Sequence, residues 1–211
     1  MENQAGFGGY QRIYADLLQE LAQADIPALA GSLGLALTPE GEAAIPFLGA
    51  TYRIGPQGIR RSDGLGFREV TASGLIRYLL AGSLHRPAGE FVTFAALAGP
   101  LFDQGGYSAS ALEAPIVKRF QGRVSELLRV ASALGGQVAG EGGLGSLSLI
   151  FELLPHVRLQ LIFYDRDEEF PARATLLFDR NATQVLDFET LAVLVTVFVN
   201  ALTKSDGAGN G

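Results

Sequence analysis

Apolar side chains recur at two different periods along this chain. Leu147, Leu149, Phe151 and Leu153 alternate with Ser146, Ser148 and Glu152. After the short turn Leu154-Pro155-His156-Val157, Val157, Leu159, Leu161 and Phe163 alternate with Arg158 and Gln160. Ala174, Leu176 and Phe178 then share a face opposite Thr175 and Leu177. A period of two marks strands with one face in the core, so residues 146–178 predict three consecutive antiparallel strands, one sheet face buried and the other partly polar.

Elsewhere the spacing is helical. Tyr10, Ile13, Tyr14, Leu17, Leu18 and Leu21 form one stripe of a first helix, and Asp25 with Pro27 opens a short second one. Residues 44–59 read as paired strands, with Gly49 and Gly55-Pro56-Gln57-Gly58 as turns around Phe47, Tyr52 and Ile54. Leu75, Ile76, Leu79, Leu80 and Leu84 restore the helical period, and residues 91–94 form a short strand. Residues 99–110 form a glycine-containing loop able to close over something. From Leu112 and Ile116 through Phe120, Val124 and Leu127 to Ala131, residues 111–134 predict one long helix, bent at Gly122 and ended by Gly135-Gly136. The apolar run 191–202 is β-branched, yet its length and the Asp187 start with Glu189 in the first turn favour a buried helix. At 12 residues it falls short of the roughly 20 that cross a bilayer.

These elements predict an α+β fold, a single domain in which helices pack on an antiparallel sheet. The domain covers residues 1–204, and residues 205–211, rich in Ser, Asp, Asn and Gly, form a flexible tail. A chain of 211 residues with 48% hydrophobic content can build such a core, and its 27 glycines, about twice the usual share, allow many turns. The net charge of −6, with no Lys/Arg run, argues against nucleic acid as a partner. With no cysteine, the chain has no disulfide, thiolate metal ligand or cysteine nucleophile. Its start lacks a basic region followed by an apolar stretch, so the expected location is cytoplasmic and no membrane is expected.

Little of the remaining polar content announces chemistry. Gly140-Glu141-Gly142-Gly143-Leu144-Gly145 spells the dinucleotide-loop string, but the alternating segment after it removes the required helix, leaving an inter-strand loop. His85 and His156 lie in different elements as surface or turn residues, and no metal site is expected. Gly106-Tyr107-Ser108-Ala109-Ser110 lacks the closing glycine of a nucleophile elbow, and Asn181-Ala182-Thr183 is a glycosylation string only in a secreted protein. Asp179, ending the third strand, reads as a turn former that caps Asn181 or its neighbours.

The exception is the acidic connection between the second and third strands. Asp165, Asp167, Glu168 and Glu169 place four carboxylates in five positions. Such a group could hold a hard cation or supply a general base beside a protonated partner, and it is equally what a solvated hairpin connection looks like. Together with Arg53, Lys118 and Arg119 they are the candidate ligand-binding residues; catalytic residues and cofactor stay unassigned.

The ordered set Ile45-Pro46-Phe47-Leu48-Gly49 with Tyr52-Arg53, Pro115-Ile116-Val117-Lys118-Arg119-Phe120, Asp167-Glu168-Glu169-Phe170-Pro171, Ala174-Thr175-Leu176-Leu177-Phe178-Asp179 and Leu191-Ala192-Val193-Leu194 resembles the prokaryotic family called domain of unknown function three-seven-eight-six. The resemblance runs from about Tyr10 to Thr203. It implies a setting in anaerobic bacteria and archaea, with relatives that carry a cysteine-rich iron–sulfur module like that of corrinoid proteins; this chain, without cysteine, lacks that module. It also departs from the family at Ala95, where an Arg is usual, and at Tyr164, where a Trp is usual, so no role carries over to either. The expected function is a non-catalytic ligand-binding or accessory protein linked through family context to anaerobic one-carbon or corrinoid metabolism. The alternatives are an enzyme with a carboxylate-based, divalent-cation site and a structural homo-oligomer. The partners expected are a small molecule and, through one stripe of the 191–202 helix, a second copy of the chain.

Overall fold

The computed structural model describes residues 5–83, 85–98, 109–142 and 146–204. Among these the fold is α+β, with eight helices and two antiparallel sheets. Two compact units interleave along the sequence: residues 1–86, 154–156 and 181–194 form the first, and residues 87–153, 157–180 and 195–211 the second.

The first unit opens with α1 (Ala5–Gln23), whose Leu17 and Leu21 are buried, and α2 (Ile26–Ser32). Asp25 caps α2 as expected, its carboxylate accepting the Ala28 N–H at 3.1 Å ahead of Pro27. Four strands follow in meander order: β1 (Ala36–Leu37), β2 (Ala43–Phe47), β3 (Ala50–Gly55) and β4 (Gly58–Arg61). Ala43, Ile45, Phe47, Tyr52, Ile54 and Ile59 line the buried face. The paired strands over 44–59 were legible, whereas the two-residue edge strand β1 has no periodicity to betray it. Helix α3 (Glu69–Ala81) is buried nearly all round, from Thr71 to Leu79. Its Gly74 permits that depth, since a Cβ there would lie 2.6 Å from Leu194 Cδ2.

In the second unit β5 (Phe91–Thr93) runs straight into α4 (Phe94–Ala98), so Phe94 begins a helix rather than ending a strand. The long helix expected over 111–134 is two helices, α5 (Ala109–Phe120) and α6 (Val124–Ala133). At Gly122 the backbone turns left-handed, φ 70°, and the helical ladder breaks rather than bends. Apolar periodicity continues through the break, which is why the sequence conceals it.

The second sheet comprises β6 (Gln137–Gly142), β7 (Ser146–Leu154), β8 (Val157–Tyr164) and β9 (Arg173–Asp179) with β5, in the order β5-β9-β8-β7-β6. The three antiparallel strands expected over 146–178 are β7, β8 and β9. Leu149, Phe151, Leu153, Leu159, Leu161, Phe163, Leu176 and Phe178 are buried, while Glu152, Arg158 and Tyr164 are exposed, giving the one-sided burial the alternation implies. The expected glycine loop is in part a strand: Gln137–Gly142 pairs with β7 through a bulge at Val138/Gly140, and residues 143–145 lie outside the described residues. The loop 99–110, apart from its last two residues, and the tail 205–211 lie outside them as well.

After α7 (Ala182–Val185) comes α8 (Phe188–Thr203). Asp187 starts it, accepting the Thr190 N–H at 2.9 Å and the Thr190 hydroxyl at 2.6 Å. Its residues 188–194 belong to the first unit and the rest to the second, where Phe198 packs edge-on against Phe151 at 4.8 Å between ring centroids. Leu191, Leu194, Val195, Phe198, Val199 and Leu202 are buried; Val193, Val197 and Ala201 are half-buried, with Thr196 and Asn200 exposed between them. Among the described residues no helix is long and apolar enough to cross a membrane.

Candidate functional site

The acidic connection of the second unit folds onto the junction between α5 and α6. Asp165 Oδ1 accepts the Gly122 N–H at 2.7 Å and the Arg166 N–H at 2.8 Å. The left-handed Gly122 thus has its amide capped by a residue far along the chain, with the Arg166 guanidinium close beside it. Asp167 closes the next turn: its Oδ1 accepts the N–H groups of Glu169 at 2.8 Å and Phe170 at 2.7 Å, and its own N–H donates to Phe170 O at 3.1 Å. Glu168 and Glu169 are exposed. At the tip of this doubly tied turn Phe170 is 67% exposed.

The remaining candidates divide between the units. Lys118 is exposed near the end of α5, and Arg119 is taken by Glu126, with Nη1–Oε2 at 3.0 Å and the guanidinium 5.4 Å from the Phe120 ring. Asp165, Lys118 and Arg119 therefore converge on the α5–α6 junction, but Arg119 and the acidic turn have separate partners. Arg53 belongs to the first unit. Among the described residues no three His, Asp or Glu side chains are grouped so as to hold a metal. His85 is exposed, and His156 occupies the β7–β8 turn with φ 68°, a conformation more usual for glycine.

Two further carboxylates matter: Asp179, read only as a local turn former, and Glu113, which no local pattern marks. Asp179 is fully buried at the end of β9, where it accepts the N–H groups of Ala88 at 2.9 Å and Gly89 at 2.8 Å. It ties down the segment before β5; sequence-local turn rules could not see a partner about ninety residues away. Arg180 reinforces the same segment through its guanidinium on Glu90, which holds the Glu90 carboxyl below the usual range. Glu113, on α5, reaches the edge of β9, whose β5 partner spans only Thr93 to Phe91 opposite Leu177 to Asp179. One residue beyond, the Leu176 N–H finds Glu113 Oε1 at 3.0 Å. Burial pushes the Glu113 carboxyl up, against the Leu176 amide and the Arg173 charge, which favour its ionised form.

The first unit carries its charges differently. Arg61 lies over the Tyr52 ring at 5.8 Å and grips Asp63, Nε–Oδ1 at 3.0 Å and Nη2–Oδ2 at 2.6 Å. On the opposite face of the sheet Arg53 and Arg60 stand directly across from each other on β3 and β4. Arg60 Nη2 meets Glu42 Oε2 at 2.6 Å, and Arg53 Nε donates to Ser62 Oγ at 3.1 Å.

The class of protein is an α+β chain whose antiparallel meander carries an acidic connection between its strands β8 and β9. The chain belongs to the family described as Domain of unknown function (DUF3786), whose model matches residues 25–201. No curated protein and no solved structure matches it.

Proposed function

We propose that this chain is a non-catalytic ligand-binding or accessory protein, with anaerobic one-carbon or corrinoid metabolism, taken from family context, as its setting. The observation that supports this reading is the use made of the acidic turn. Asp165 and Asp167, the first two of the four clustered carboxylates, accept main-chain N–H groups of their own fold. The Oδ1 of each spends its lone pairs on the backbone and so has less to offer a substrate proton or a cation. What the turn offers outward is a large aromatic ring, Phe170, beside Glu168 and Glu169, on a backbone that the bonds to Asp167 tie down. An exposed aromatic on a tied backbone suits a recognition element, because less freedom is lost when it seats in an apolar pocket.

The test is the joint replacement of Asp165, Asp167, Glu168 and Glu169 by Asn or Gln. The folded state is expected to survive, since amide oxygens still accept the same N–H groups, and magnesium, calcium or manganese should leave the Tm of the parent unchanged. A divalent-dependent rise in Tm in the parent, abolished in the quadruple variant, overturns this reading in favour of an enzyme with a carboxylate-based site. Mass spectrometry of the natively purified protein then identifies a co-purifying small molecule.

A further inference from the structure

We infer that the open face of the four-stranded sheet in the first unit binds a small multivalent oxyanion between Arg53 and Arg60. The register puts these two side chains directly opposite on neighbouring strands. Like charges so placed repel, and the repulsion destabilises the pair unless an anion sits between them. Glu42 answers only part of this need: it takes one amine of Arg60, whose side chain stays 57% exposed. Glu40, an exposed carboxylate on the β1–β2 turn, is held below the usual range chiefly by the Thr38 hydroxyl, with the charges of Arg53 and Arg60 acting in the same direction.

The donors that remain suit an oxyanion. A guanidinium carries five N–H groups in a planar fork matching carboxylate and phosphate oxygens. Arg53 gives its Nε–H to Ser62 Oγ at 3.1 Å, which fixes the plane of the fork, and its terminal amines meet no further hydrogen-bond acceptor among the described residues. Thr51, two residues away on β3 and so on the same face, adds an exposed hydroxyl. Across the sheet the row continues from Arg53 to Ala44 and Ala36, whose methyl groups leave room beside the guanidinium.

This inference rests on the reading of the chain as a binder, but its test uses other residues and a different ligand from the acidic-turn test, so either can fail alone. Inorganic phosphate, and malonate as a carboxylate counterpart, are titrated against the full chain with sodium chloride at matched ionic strength, followed by Tm and by calorimetry. Saturable binding is expected in the parent. Arg53→Gln is expected to weaken it roughly tenfold or more, the loss of at least one charge-assisted hydrogen bond. Glu42→Gln, which frees Arg60, is expected to tighten it. A response to phosphate and malonate no larger than that to chloride, or full retention of binding in Arg53→Gln with an unchanged circular dichroism spectrum, overturns the inference. The relative strength of phosphate and malonate separates a phosphate ligand from a carboxylate one.

Discussion

In the second unit Glu113, Asp165, Asp167 and Asp179 each accept main-chain N–H groups, whereas in the first unit Arg53 and Arg60 stand on the outer face of a sheet and meet only side chains. The difference separates charges that hold the fold from charges that are available. A buried or half-buried carboxylate that satisfies backbone amides cannot be withdrawn without orphaning those amides. A guanidinium with spare donors on an open face costs the fold little and offers more to a ligand. Density of charge along the sequence points the wrong way here: the four clustered carboxylates include two backbone caps, while the two arginines that face each other are separated by a turn.

The sharpest way to break that distinction is at Asp179. Removing its carboxylate orphans the Ala88 and Gly89 amides and the segment they anchor, so Asp179→Ala should cost roughly 3 kcal/mol, the worth of two hydrogen bonds to a charged acceptor less what water restores. For a chain of this size that is a fall in Tm on the order of 10 °C. Asp179→Asn keeps one oxygen and should lose about half as much. Urea unfolding of both variants checks the order; a change in Asp179→Ala no larger than that of a surface substitution, within about 0.5 kcal/mol, shows the clamp to be idle.

Glu113 sharpens the comparison through pH. Its carboxyl is held above its ordinary value by burial, so between the usual glutamate range and that raised value the folded chain binds more protons than the unfolded one. Stability contributed by this group therefore falls as pH rises through the window, the reverse of a carboxylate held low by a salt bridge. Glu113→Gln retains an oxygen for the Leu176 N–H without the charge. The variant is expected to match the parent below about pH 4 and to melt higher at neutral pH, with a flatter profile. A variant that melts lower at neutral pH would show that the charge on Glu113 strengthens the bond to β9 by more than its burial costs.

How far all this was legible depends on whether the cause is local. Strands β7 to β9 and helix α8 announce themselves because alternation and apolar length are properties of adjacent residues, and Asp25 and Asp187 cap helices that begin beside them. Strand β6 was illegible: Val138 is 58% exposed, its neighbours Gln137, Ala139 and Gly140 are exposed too, and the strand is held by backbone pairing to β7, which leaves no pattern in side chains. The break at Gly122 is half visible, since the glycine stands in the sequence but its amide's partner, Asp165, lies 43 residues further on. The arginine pair was invisible for the same reason: only the β3–β4 register makes Arg53 and Arg60 neighbours.

The same distinction between occupied and available groups holds for apolar side chains on α8. The stripe Val195, Val199 and Leu202 is buried within the chain, leaving Val193, Val197 and Ala201 as the stripe that looks outward. A second copy of the chain, if it docks on this helix, must use Val197, because the exposed Thr196 and Asn200 on either side offer only polar contact. A glutamate at 197 can extend to water from a half-buried position, so Val197→Glu is expected to fold with only a small loss of stability, whereas Val199→Glu buries an unpaired charge and should unfold the domain. Light scattering reads the outcome. A parent that runs as a dimer at micromolar concentration and a Val197→Glu variant that runs as a folded monomer place the interface on this stripe. A parent already monomeric under the same conditions rejects the dimer and leaves α8 as the core of a single chain.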